Sequence, residues 1–513
     1  MPRRPTRKPR KTSAWLLARR TTQILAFIAF LGIFLSIKQW GLRQPLSAVP
    51  FWFDPYAMLT LWLSGHQWLP WTLLCLVTVA SAVIFGRAWC GWICPLGTLF
   101  DWLPARRSGG YSDSHERIRK VKHILLVVSL TLAVFGVLIG LLLDPLAILF
   151  RGLATFIWPA VNLVITSIEK WIYPIGLFKG LVNGFESGIR PLFLPPEIEV
   201  YRYPALFAIL FIGLILLNLF RERYWCRYLC PLGSGLGLIS KFALVKRQVG
   251  DKCSACGICA QQCPTGTIDP KNGFQSDPAE CTLCMRCVED CPLKDTHFIF
   301  SPTPAGWQAY DPSRRDVIRT VGLSAAALFL LKLGASVPND QKHTFRILPP
   351  GAEPEDLFSK CIRCSECIRV CPTGGLQPAI TESGLTGLWT PVLVPRIGHC
   401  EYSCNACGQI CPTRAIQPLT LEVNHTTVIG CAAIDTSRCI AWGERQACIV
   451  CQEVCPLPEK AIILENGLDI DGRPLKLPRM PAERLRENVV SSATSSATIR
   501  VPCVLSFPPL QPD

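Results

Sequence analysis

Two stretches of this chain carry the same unusual spacing of cysteine. From Cys253 the sequence reads C-S-A-C-G-I-C-A-Q-Q-C-P, and from Cys281 it reads C-T-L-C-M-R-C-V-E-D-C-P. Each is C-x2-C-x2-C-x3-C-P, a run in which three close thiolates hold one 4Fe–4S cluster and the fourth reaches the neighbouring cluster. On that rule Cys253, Cys256, Cys259 and Cys291 bind one cluster, and Cys281, Cys284, Cys287 and Cys263 bind the other. Pro264 and Pro292 follow the fourth cysteines and turn the chain away, because proline fixes φ and donates no backbone hydrogen bond. Zinc also takes four thiolates, but seldom in three close cysteines followed by Cys-Pro, written twice.

The other cysteines extend the argument. There are 27 in 513 residues, and twenty fall into five quartets, too long a chain and the wrong spacing for a small disulfide scaffold. Half of the residues are hydrophobic, only 17% are charged, and the mean hydropathy is +0.30, which points to a membrane protein. The net charge of +15 does not imply a nucleic-acid partner. Much of the excess lies at the N-terminus and beside apolar segments, where it sets topology.

Residues 1–20 form a basic tail, and residues 21–37 are uncharged over nearly the length of a bilayer crossing. The positive-inside rule orients this first helix from cytoplasm to exterior. Residues 38–68, rich in Trp and Pro, read as an outer loop, and 69–86 return. They lead into W-C-G-W-I-C-P-L-G, with Cys90 and Cys94. A basic loop follows, holding Arg87, Arg106, Arg107, Arg117, Arg119, Lys120 and Lys122, and then an outward span at 124–143. Residues 144–203 are interrupted by Arg151, Pro159, Glu169 and Lys170. They are expected to be interfacial or re-entrant, because an ionisable group inside a span is costly; a crossing at 146–168 is the alternative. Residues 204–220 cross inward to W-C-R-Y-L-C-P-L-G, with Cys226 and Cys230, and a second basic loop with Lys241, Lys246 and Arg247. The two C-x3-C-P motifs are an internal repeat of the kind that brackets the working site of many membrane proteins. Helical i, i+4 spacing puts both thiols of each on one side. A pair of structural turns and a redox or metal site both remain open there.

After the cluster pair, Ser313-Arg314-Arg315 introduces an apolar run at 320–331 that looks like a twin-arginine export signal, with Ala335-Ser336-Val337 as a weak cleavage site. Beyond residue 338 three more quartets follow. They are Cys361, Cys364, Cys367 and Cys371; then Cys400, Cys404, Cys407 and Cys411; then Cys439, Cys448, Cys451 and Cys455. All keep the final x2 and x3 spacing, so three further 4Fe–4S clusters bring the count to about five. Which of these quartets exchange a ligand is left open. Thr426–Ile429 and Ala461–Leu464 are strand-like. Cys75, Cys431 and Cys503 stand outside the quartets as spare thiols. No haem or nucleotide motif occurs.

Taken together, residues 1–300 resemble the NapH-type membrane ferredoxins, and residues 311–480 resemble the NapG-type and methylamine-utilisation (MauM-type) exported polyferredoxins, as if the two were fused. The C-x3-C-P sites are also similar to those of membrane ferredoxins that support nitrous-oxide reductase and oxidase maturation. The resemblance implies a multidomain chain, with a polytopic α-helical membrane domain and α+β bacterial-type two-cluster ferredoxin-like domains. The divisions expected are a tail at 1–20, a membrane domain of about four transmembrane helices at 21–247, and a cytoplasmic two-cluster domain at 248–300. A signal-like anchor at 311–337, an exported domain at 338–480 and a disordered tail at 481–513 complete it. The implied location is the bacterial cytoplasmic (inner) membrane, with the C-terminal part outside. The implied function is the electron-transfer component of a quinol dehydrogenase, drawing on the quinone pool in the lipid and reducing a periplasmic partner such as a nitrate-type reductase. An accessory role, supplying electrons for maturation or reactivation of a metalloenzyme, is the alternative. One departure stands out: the NapG-type protein carries a fourth C-x2-C-x2-C motif at its end, and residues 481–513 hold none.

Overall fold

The computed structural model describes residues 13–66, 70–103, 114–174, 179–195, 199–302, 313–335, 347–380, 382–427, 429, 431–433, 437, 439–453, 455, 460, 462–468, 474–479 and 500–502. Most of the basic tail, Arg106, Arg107, the side chain of Arg117, Ser336-Val337, Ala461, Cys503 and nearly all of 481–513 lie outside the described residues. The chain divides into two compact units, 1–196 with 203–330, and 197–202 with 331–513.

The first unit is built on apolar helices. Ser13 caps the helix Ala14–Gln39, its hydroxyl accepting from the Leu16 amide. That helix begins inside the stretch expected to be tail, and it is long and apolar enough to cross a membrane. Of the other three expected spans, 69–86 and 204–220 give the shorter apolar helices Trp71–Phe85 and Pro204–Phe220. The third, 124–143, breaks: the helix Ser114–Val134 ends before Gly136, which adopts a positive φ, and a 3-10 turn covers Ile139–Leu143. Within 144–203, expected to be interfacial or re-entrant, the backbone is largely helical. A continuous helical rod, Pro145–Ile172, is the second helix long and apolar enough to span. Its interruptions are accommodated locally. A π-helical turn at Leu153–Ile157 leads into Pro159, the usual way a helix absorbs a residue that donates no bond. Arg151 donates to the Leu142 carbonyl at 2.6 Å, and Glu169 pairs with Arg190 at 2.6 Å.

Asp54 and Asp144 each precede a proline and cap the helix it opens. Asp54 accepts from the amides of Tyr56 and Ala57, and Asp144 from that of Ala147; proline at the first helical position has no amide to leave unpaired. Phe30, Phe34 and Phe51 meet the ring of Phe150. Outward faces keep large apolar residues such as Leu25, Ile28, Val164 and Ile209 exposed, as a lipid-facing surface would.

The cluster-motif segment folds as a small α+β unit. Strand Val245–Val249 pairs antiparallel with Thr296–Phe300. Between them lie the short helices Ile258–Gln262 and Arg286–Glu289 and a two-residue ladder, Ile268–Asp269 with Gln275–Ser276. Charges expected only to mark a basic loop hold this segment in place. Arg87 and Lys122 both pair with buried Glu280, and Arg119 donates to the carbonyls of Thr265 and Gly266. Gly91 abuts Thr282 so closely that an added Cβ would collide with its carbonyl oxygen.

In the second unit the helices Glu366–Val370 and Ala406–Ile410 lie beside the paired strands Leu376–Pro378 and Pro391–Leu393. Leu357, Ala415 and Ile416 form the core around Cys411, and buried Arg369 pairs with Glu199 at 2.9 Å. Of the strand expected at Thr426–Ile429, Thr426 instead ends a helix, Leu421–Thr426, where the Thr420 hydroxyl accepts from the Val423 amide, and Thr427 and Ile429 are in neither helix nor strand. Strand Ile463–Leu468 pairs with Pro474–Arg479. Within the C-terminal stretch expected to be disordered, Arg500–Pro502 pairs in parallel with Cys431–Ala433.

Burial alone would push the Glu280 carboxyl up, but Lys122, Arg87 and Arg119 outweigh it and hold it at about 2. Its pKa is lowered on folding, so its contribution is fully present above the unfolded value of about 4.3 and is lost as pH falls through about 2. Glu280→Gln leaves two buried cations without their carboxylate and is expected to cost about 3–5 kcal/mol, read as a lowered unfolding midpoint and faster proteolysis of residues 248–300. The wild-type protein but not the variant should lose that difference on acid titration.

Candidate iron–sulfur centres

Cys253, Cys256, Cys259 and Cys291 line one hollow, closed by Arg247, Phe274 and Thr296. The thiols of Cys281, Cys284, Cys287 and Cys263 lie close enough to act on one another's ionisation. These are the two groups into which the spacing sorts the eight cysteines. Cys253 and Cys256 are exposed, whereas Cys263 and Cys287 are buried. Arg247 stands between the groups: it lines the first hollow, and its charge partly offsets the burial that raises the Cys287 thiol.

The loops share a backbone device. Ala255 and Gly257, Leu283 and Met285, and Arg363 and Ser365 all have positive φ, at the same two places in C-x-x-C-x-x-C. Alternation of this kind turns successive amides into one concavity, the nest used around phosphates and iron–sulfur clusters. Five of the six are not glycine, so each bears a left-handed conformation costing about 1–2 kcal/mol, which cluster bonds offset. Cys-Pro-Thr is a second recurring signal that spacing alone misses. The Thr265 and Thr373 hydroxyls lie 3.5 and 3.6 Å from the sulfurs of Cys263 and Cys371, and Thr413 is 3.9 Å from that of Cys411.

In the second unit the exchange left open by spacing takes a definite form. Cys361, Cys364, Cys367 and Cys411 line one hollow, and Cys371 lies among Cys400, Cys404 and Cys407, raising the thiols of Cys400 and Cys407, the latter to about 12 with burial as the main cause. The last quartet is less closely defined. Cys439 and Cys448 pack against Ala441, Leu475 and Leu477, and the Cys455 carbonyl accepts from Lys460. Four sulfurs around one hollow fit a 4Fe–4S cluster in at least two sites. Among the described residues no group of three or more His, Cys, Asp or Glu side chains is gathered for a single metal ion.

The two C-x3-C-P motifs come together. Their four thiols are 4–7% exposed, and Cys94, Cys226 and Cys230 each feel the charge of others in the set. The repeat is longer than the cysteines suggest: it is R-x-W-C-x3-C-P-L-G, beginning at Arg87 and at Arg223. Each arginine reaches across to the other copy. Arg87 donates to the Cys226 carbonyl at 3.1 Å, and Arg223 to the Cys90 carbonyl at 3.0 Å. Each also has its own carboxylate, Glu280 for Arg87 and Asp101 for Arg223. The sulfur of Cys230 accepts from the Gly233 amide at 3.2 Å, capping the helix Pro231–Ser240. Gly97 and Gly233 are required, because a Cβ would lie 2.6 Å from the Cys90 carbonyl oxygen or 2.5 Å from Arg87. This site abuts the buried cluster loop: Trp92 donates to the Leu283 carbonyl at 3.0 Å and Arg19 to that of Cys284.

Comparison with known proteins agrees with these assignments. A 4Fe-4S binding domain model matches residues 67–109 and 203–250, the segments carrying the two C-x3-C-P motifs. Another 4Fe-4S binding domain model matches 249–269 and 356–377. This is an iron–sulfur, ferredoxin-type electron-transport protein. The chain is 27% identical over 303 residues to the ferredoxin-type protein NapH of Escherichia coli (strain K12), covering 55% of this chain and 88% of that one. It is 28% identical over 279 residues to the protein NirI of Paracoccus denitrificans, covering 51% of this chain but only 33% of NirI. The methylamine utilization ferredoxin-type protein MauN of Methylorubrum extorquens is 26% identical over 262 residues, 48% of this chain and 74% of MauN. No solved structure matches.

Cys411→Ser is expected to remove the cluster signal of the Cys361 site while leaving that of the Cys400 site, and Cys371→Ser to do the reverse, read by EPR and iron content. Thr265→Val keeps the side-chain volume and removes a donor to the Cys263 sulfur. A hydrogen bond of about 1 kcal/mol favouring the reduced form corresponds to about 40 mV, so the midpoint potential of that cluster should fall by roughly this amount in a redox titration.

Proposed function

We propose that the protein withdraws electrons from membrane quinol and passes them through its clusters to an acceptor on the outer side of a bacterial cytoplasmic membrane. The observation that carries this reading is the gradation within the first unit. The Cys281–Cys287 loop is packed against the membrane-type helices through Gly91, Trp92 and Arg19, whereas the Cys253 site opens to the surface. Bound clusters supply one-electron storage. The chain's own contribution is position, burial, and donors to sulfur such as Arg247 and Thr265.

In this reading the N-terminus and residues 248–300 are cytoplasmic, the multi-pass helices lie in the lipid and the C-terminal clusters serve a periplasmic redox partner. Cys90, Cys94, Cys226 and Cys230 form one further redox or metal site shared by the two repeats, next to the buried cluster. Their burial also bears on the alternative of an accessory protein for metalloenzyme maturation. Thiols only 4–7% exposed are poorly placed to exchange with a soluble client, which favours electron transfer.

Purified full-length protein in detergent is expected to hold about twenty irons in its five quartets and to show rapid cluster reduction on addition of a reduced short-chain quinol, followed by EPR. Full clusters that ignore quinol yet accept electrons from a soluble donor would overturn the quinol reading in favour of the accessory one.

A further inference from the structure

The first unit contains a cavity of ≈ 660 Å³, within the range of sites that enclose a small organic molecule. One side is the cytoplasmic-end part of the apolar helices, with Trp15, Ser81 and Phe85; the next is the first C-x3-C-P turn, with Ala88, Trp89 and Trp92. The far wall is the iron–sulfur loop itself, where Leu283 and Met285 sit between ligands of the buried cluster. His297, on the strand Thr296–Phe300, is the only ionisable side chain lining it among the described residues.

We infer that this cavity is the quinol-oxidation site, binding the ring of a membrane para-quinol between the Trp89 and Trp92 side and the Leu283–Met285 loop, with His297 as its proton acceptor. The inference rests on the quinol reading above and gives it a location. Three features select this ligand. The walls are predominantly aromatic and aliphatic, as a hydrophobic ring with an isoprenoid tail requires. Trp15 and Phe85 are themselves substantially exposed and belong to helices whose other outward faces are apolar, so the tail can remain among lipid chains. Leu283 and Met285 in its wall flank Cys284 in the chain, so the loop that would hold an electron acceptor borders the cavity.

The bookkeeping of the step closes with groups already named. A quinol gives up two hydroxyl protons and two electrons and becomes a quinone. The neutral imidazole of His297 takes one proton, and water at the exposed strand takes the other. The two electrons would leave one at a time by way of the Leu283–Met285 loop, since Cys281, Cys284, Cys287 and Cys263 would hold a 4Fe–4S cluster, which supplies a one-electron acceptor when bound.

The test uses the full-length, cluster-loaded protein in detergent with a short-chain quinone. Trp89 and Trp92 are close enough to report binding, so saturable quenching of tryptophan fluorescence is expected, and a photoreactive azidoquinone should label peptides within 81–93 and 283–298. Ala88→Trp fills the cavity and should weaken quenching at least about tenfold. His297→Gln, at an exposed position on the strand, should leave quinone affinity within about twofold. It should slow quinol-driven cluster reduction about 100-fold and flatten its pH dependence, with dithionite reduction unchanged in both variants. Rapid quinol reduction of the wild type that neither substitution alters would overturn the cavity while leaving the quinol reading standing. Wild-type clusters that do not respond to quinol would overturn both. Non-saturable quenching together with tightly held phospholipid in native mass spectrometry would make the cavity a lipid site and overturn the inference.

Discussion

A carboxylate taken out of water must find cations, and in this protein two of them organise the first unit. Glu280 lies at the head of the buried cluster loop, and its partners, Arg87 and Lys122, come from two different helical segments. Asp101 gathers Arg19, Gln23 and Arg223 from the first helix and the second repeat. Desolvating such groups costs several kcal/mol each, which only well-made bonds recover. The arrangement therefore contributes less to net stability than to register: elements far apart in sequence can be buried together only in the one geometry that satisfies every charge. The position of the cluster loop against the paired cysteine motifs depends on it.

The pairing of the two repeats follows the same logic. In each copy an arginine three residues before the first cysteine leaves its own motif and bonds to a cysteine carbonyl of the other. Neither copy is complete alone. Their difference is as informative as their likeness. After the first cysteine one copy has Gly91 and the other has Arg227, and it is Gly91 that meets Thr282 of the iron–sulfur loop. The near-symmetry therefore ends where one side accepts the cluster loop.

Much of the site was legible because thiolate ligation imposes spacing on the sequence. Cys253 to Cys291 predicts its own ligand exchange, and the hollow around those four side chains has that composition. Legibility failed where the deciding partner was distant. Arg87, Arg119 and Lys122 read as topology markers, because nothing local announces that Glu280 and the Thr265 carbonyl lie against them. Arg151 and Pro159 read as interruptions that weighed against a crossing at 146–168, and the local devices that carry a helix through them, a π turn and the Leu142 carbonyl, have no signal in the sequence. The helix Leu421–Thr426 was missed although Thr420 is a good cap, since β-branched residues on either side suggested a strand. The exchange of Cys371 and Cys411 depends on which short helices pack together, and irregular first gaps in the later quartets leave that unspecified.

The close approach of Gly91 to Thr282 has a consequence for biogenesis. A loop sealed against the membrane helices on one side, and carrying Cys263 and Cys287 buried on the other, offers little room for an iron donor once it is seated. A cluster held there would have to arrive before the ion pairs of Glu280 close over the loop. The Cys253 site, with two cysteines exposed, carries no such ordering and can be loaded, or repaired after oxidative damage, in the finished protein.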